Sequence, residues 1–110
     1  MRENKEINKI LSQSNFYYGY VYKANKLAAV DVWTGPLSIG ESKEPIASQI
    51  AKKYNVNLIF QDFSRGRDEK PNYKPAFGVS CKTTDEIKEG IKNLELAERE
   101  LKERLGIKST

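Results

Sequence analysis

The chain has 110 residues, 38% hydrophobic and 31% charged, enough for one compact domain over residues 1–110 and no second one. It has no histidine and one cysteine, which removes the usual catalytic triads, most zinc or iron sites and any internal disulfide. Nineteen Lys+Arg against 15 Asp+Glu leave a net charge of +4, a modest excess that suits an anionic partner.

No apolar run approaches the roughly 20 residues of a membrane span, and no signal-peptide core follows Met1. A cytoplasmic, reducing setting without membrane contact is therefore expected. The wealth of Lys, Glu and Ile fits a thermophile.

Taken in order, Arg2–Gln13 carries Ile7, Ile10 and Leu11 at helical spacing, a short amphipathic helix that ends at Ser14-Asn15. The aromatic run Phe16-Tyr17-Tyr18-Gly19-Tyr20-Val21-Tyr22-Lys23 has strand chemistry. Leu27–Thr34 resumes as a second strand, so the pair reads as a β-hairpin.

The turn decides which side chains share a face. A two-residue turn at Asn25-Lys26 sets Tyr22 opposite Ala29, Tyr20 opposite Asp31 and Tyr18 opposite Trp33. Phe16, Tyr18, Tyr20, Tyr22, Asp31 and Trp33 then form one wet aromatic face, and Val21, Ala28, Val30 and Val32 form the core face. A three-residue turn, Ala24-Asn25-Lys26, slips the pairing by one and joins the tyrosines to Ala28, Val30 and Val32.

Gly35-Pro36-Leu37-Ser38-Ile39-Gly40-Glu41-Ser42 has the glycine spacing of a phosphate-binding loop, but Glu41 stands where that loop needs lysine. Ser42 is placed to cap a helix with Pro45 in its first turn and a stripe of Ile46, Ala47, Ile50, Ala51 and Tyr54. Asn55 closes it. Asp31 with Glu41 and Lys43 imitates the Asp…Glu-x-Lys pattern of metal-dependent nucleases.

Val56–Ser64 reads as a third strand and Pro75–Cys81 as a fourth, beginning at a proline as edge strands can. Between them lies a polar loop with Arg65, Arg67, Lys70, Tyr73 and Lys74. Cys81, without a histidine to activate it, is a small apolar filler. Thr83 and Glu86 form a capping box for a helix of about 84–105, ended by Gly106.

The layout is α-β-β-α-β-β-α, an α+β domain with a four-stranded antiparallel sheet. The last helix would extend about 33 Å. Ile87, Ile91, Leu94, Leu101 and Leu105 fall at spacings of four and three, a heptad seam interrupted by Glu98, which points to a homodimer joined by a coiled coil; the alternative is a helix lying on its own sheet with a charged tip.

The combination of sheet, aromatic face and zipper-like final helix resembles the single-stranded-DNA-binding proteins of thermophilic archaea called ThermoDBP and their shorter relatives. The resemblance is one of layout, covers most of the chain, and implies single-strand binding.

From the residues themselves the expected activity is the binding of single-stranded DNA or RNA with little sequence preference. Tyr18, Tyr20, Tyr22, Trp33 and Tyr73 would stack bases, and Lys23, Arg65, Arg67, Lys70 and Lys74 would neutralise phosphates. No catalytic or metal-binding constellation, cofactor or small-molecule substrate is expected on this reading. The rivals are a protein-interaction module, such as a viral or plasmid-encoded inhibitor, that uses the same face, and a metal-dependent nuclease through Asp31, Glu41 and Lys43.

Overall fold

The computed structural model describes residues 5–66 and 70–106, so Arg67 lies outside the described residues. Along the chain run α1 (Lys5–Gln13), β1 (Tyr17–Lys23), β2 (Lys26–Trp33), α2 (Glu44–Lys53), β3 (Asn57–Asp62), β4 (Tyr73–Cys81) and α3 (Thr84–Leu105). The four strands make one antiparallel sheet in the order β1-β2-β4-β3. The expected α+β architecture and element order are present, with one addition. A short 3-10 turn, Glu41–Lys43, leads into α2.

Alternation along the strands sorts the side chains into two faces. Val30, Val32, Phe77 and Cys81 point to one face and are buried there with Ile7 and Leu11 of α1, Ala47 and Ile50 of α2, and Ile87, Leu94, Ala97 and Leu101 of α3. All three helices therefore cover the same side, and among the described residues the other face of the sheet carries no helix.

That packing consumes the heptad seam. Ile87, Leu94 and Leu101 are fully buried in the chain's own core, and Ile91 and Leu105 are half-buried against it. Ala97 lies beside the seam and is also sealed. The coiled coil expected from Ile87, Ile91, Leu94, Leu101 and Leu105 is thus replaced by an intramolecular packing stripe, because the sheet and the two shorter helices cover Ile87, Leu94 and Leu101 fully and Ile91 and Leu105 in part.

The local signals at α3 act as written. The Thr83 hydroxyl accepts from the Glu86 N–H at 3.1 Å, while the Glu86 carboxylate reaches the N–H of Lys82, at 3.4 Å. Gly106 takes the left-handed conformation, φ 67°, and closes the helix. At α2 the expected Ser42 cap is replaced by the 3-10 turn, and no side chain caps the helix. Asn55, φ 56°, ends the segment after α2 as expected.

The hairpin takes neither of the two turns weighed above. Ala24 and Asn25, both at positive φ, form a two-residue turn with Lys23 opposite Lys26. A bulge at Val21/Tyr22 then admits Ala28 as an extra residue, and beyond it Val21 pairs with Ala29, Tyr20 with Val30 and Tyr18 with Val32. The single-residue slip arises from the bulge, not from a longer loop. The expected platform of Tyr18, Tyr20, Tyr22 and Trp33 is therefore split: the tyrosines lie on the helix side and Trp33 on the open side.

β4 is an interior strand rather than an edge one. Its proline is tolerated because β2 has already ended at that level. There the passing loop, not a strand, meets β4, with the Leu37 N–H donating to the Pro75 carbonyl at 2.8 Å. Thr34 continues the ladder one step further, its N–H donating to the Phe77 carbonyl and its hydroxyl accepting from the Phe77 N–H.

Candidate nucleic-acid interface

The uncovered face is built in rows across the strands. One row is Tyr17, Trp33, Gly78 and Asn57, and the next is Gly19, Asp31 and Ser80. Two glycines in this grid leave space for their large neighbours. The Trp33 ring lies over Gly19, where an added Cβ would sit 3.6 Å from it, and Ile59 leans over Gly78.

Three aromatic rings gather at one end of this face. Tyr17 stacks on Trp33 with centroids 6.3 Å apart and planes 14° from parallel. Phe63, just past β3, meets Tyr17 edge-on at 6.1 Å. Since β3 and β1 are opposite edges of the sheet, this contact requires the chain leaving β3 to cross over the sheet end. Tyr17 is 53% exposed.

The same crossing brings the basic loop to the aromatic rings. Asp62 organises its base: its carboxylate accepts from the N–H groups of Ser64 and Asn72, at 2.9 and 2.8 Å. Those backbone bonds, led by that of Asn72, hold the Asp62 carboxyl below the ordinary carboxylate range. Arg65 and Lys70 are exposed on the loop, and Lys74 shares the open face with Gly78. Lys70 and Lys74 make no ion pair with a described residue. Lys23 and Lys26 are exposed at the far end, on the hairpin tip.

The other expected residues are placed differently. Tyr18, 41% exposed, and Tyr22, 53% exposed, overhang the helix side at the free edge of the sheet. Tyr20 is half-buried between them, packs on the core and donates to Asn8 Oδ1. The nearby cleft, lined by Phe16 and the second half of α3, contains Glu95, Glu98 and Glu103 against Arg99 and Lys102. Three carboxylates make that side a poor match for phosphate. Tyr73, 66% exposed, lies with Phe60 beside Glu41 and Glu44, also away from the open face.

Asp31 and Glu41 are not brought together, as the nuclease reading requires. Asp31 stands mid-sheet on the open face, whereas Glu41 borders the helix-side groove with Phe60 and Tyr73. Among the described residues, no group of three or more His, Cys, Asp and Glu side chains is placed to hold a metal ion. The Cys81 thiol is buried and pushed up to about 11, chiefly by desolvation, so it is protonated at neutral pH, as its reading as a filler implies.

Tyr17 and Phe63 are the members of this aromatic cluster that sequence reasoning missed. Phe63 was readable as sharing a strand face with Ile59; Tyr17 followed only once the hairpin register was known. No described helix is long and apolar enough to cross a membrane. No protein-family model matches the chain, and neither a curated protein nor a solved structure is significantly similar to it.

Proposed function

We propose that the protein binds single-stranded nucleic acid on the open face of its sheet. The observation that carries this reading is the Tyr17–Trp33–Phe63 cluster on a helix-free face, with Arg65, Lys70 and Lys74 at the same end. Stacked rings bind bases through their π-faces, which every base has, so the binding tolerates sequence. Flanking cations neutralise the phosphates and make affinity fall with salt. Single strands fit because their bases are free to turn toward a flat surface.

This reading keeps the expected activity and moves its stacking residues from Tyr18, Tyr20 and Tyr22 to Tyr17 and Phe63, with Trp33 common to both. A homodimer, if formed, would need a surface other than the α3 seam. The test is fluorescence anisotropy with labelled oligo-dT at low and high salt. Trp33→Ala and Tyr17→Ala should each weaken binding, whereas Tyr18→Ala and Tyr22→Ala should not. Equal loss in all four variants, or salt-insensitive binding, would overturn the assignment.

A further inference from the structure

Beside Trp33 the open face holds a shallow groove of 260 Å³. Gly78 and Ile59 form its floor, Trp33 one wall, and Asp31 and Ser80 one end. Asp31 is half-buried, and its carboxylate makes no hydrogen bond or ion pair with another described residue. Its cross-strand neighbours are Gly19, over which the Trp33 ring lies, and the exposed Ser80.

An unpaired carboxylate is an odd feature for a phosphate-binding face unless the charges are sorted by position. They are so sorted. Lys74 lies on the same face as Ser80, six positions earlier on β4 and about 20 Å away. Arg65 and Lys70 belong to the loop at the Lys74 end. A strand whose phosphates follow these cations directs its bases inward, over Trp33 and toward Asp31, which is about 7 Å further along β2.

We infer that this groove is a guanine-reading subsite, with Asp31 as the residue that sets base preference. The inference rests on the open-face reading above. A carboxylate only accepts hydrogen bonds. Guanine presents two adjacent donors on its Watson–Crick edge, the N1–H and the 2-amino group. Adenine and cytosine pair one donor with an acceptor, and thymine flanks its single N–H with two carbonyls, so each turns at least one lone pair toward Asp31. Stacking on Trp33 supplies affinity for any base; Asp31 supplies the difference between them.

The experiment compares the full chain's affinity for a short labelled oligo-dT, for the same oligomer with one central deoxyguanosine, and for one with deoxyinosine, which keeps the N1–H but lacks the 2-amino group. The deoxyguanosine oligomer should bind about fivefold or more tighter than oligo-dT, with deoxyinosine between them. In Asp31→Asn the three affinities should converge while oligo-dT binding persists, which also reports that the variant is folded. Equal affinities in the wild type, or a guanine preference that survives in Asp31→Asn, would overturn the subsite and leave the open-face reading intact. Absence of binding to all three oligomers would overturn both.

Discussion

Gly90 is a helix-interior glycine whose replacement sets two effects against each other. On an exposed helix surface, Gly→Ala gains about 1 kcal/mol. Here α3 presses on β4 at that position. A Cβ on residue 90 would lie 2.9 Å from Cγ2 of Val79 and 3.3 Å from Sγ of Cys81. Val79 is β-branched and has few rotamers to retreat into. Overpacking of this kind costs about 1–3 kcal/mol, so Gly90→Ala should be destabilising by about 0–2 kcal/mol net. Urea unfolding followed by far-UV circular dichroism measures it. Val79→Ala in the same background should recover the propensity gain, with a coupling of at least about 0.5 kcal/mol in the double-mutant cycle. Stabilisation by Gly90→Ala alone, or strict additivity with Val79→Ala, would refute the close contact between α3 and β4.

Four further outcomes are expected. Leu94→Ala should cost about 2–5 kcal/mol in urea unfolding and leave the oligomeric state by light scattering unchanged, since Leu94 is fully buried within one chain. The Cys81 thiol should resist iodoacetamide at neutral pH until denaturant is added; its raised folded pKa also means that stability falls as pH rises from the ordinary thiol value toward about 11. Glu100 is held below its ordinary value first by Lys53, at 2.5 Å, and then by the Tyr54 hydroxyl, at 2.8 Å, which together tie α2 to α3. Its contribution is present above the ordinary glutamate range and lost as pH falls through the depressed one, so Glu100→Gln should flatten the acid limb of the stability curve. Asp62→Asn should loosen the β3–β4 loop without unfolding the sheet, seen as faster proteolytic cleavage within residues 64–72.

The parts of the fold that were legible in the sequence are those decided locally. The Thr83 cap, the Gly106 stop and the amphipathic stripes of α1 and α2 each depend on residues within a turn or two of one another. The assignment of Ile87, Leu94 and Leu101 failed because a heptad seam and a core-facing stripe have nearly the same spacing; only the surrounding layers decide which forms. The hairpin register failed for a sharper reason. The turn puts Ala24 in a left-handed conformation that alanine rarely adopts, and the bulge adds one residue whose only signal is the small size of Ala28. One residue moves every side chain of β1 to the other face. The ingredients of the candidate face, aromatic rings and a basic loop, were therefore readable, while the grouping of Tyr17 and Phe63 with Trp33 was not.

The chain has a single tryptophan, and Trp33 lies within the proposed interface, so its own fluorescence reports contact there. Titration with unlabelled oligo-dT at low salt should quench that emission saturably, and added salt should reverse the quenching. Binding detected by anisotropy with no change in Trp33 emission would place the nucleic acid elsewhere and contradict the open-face account.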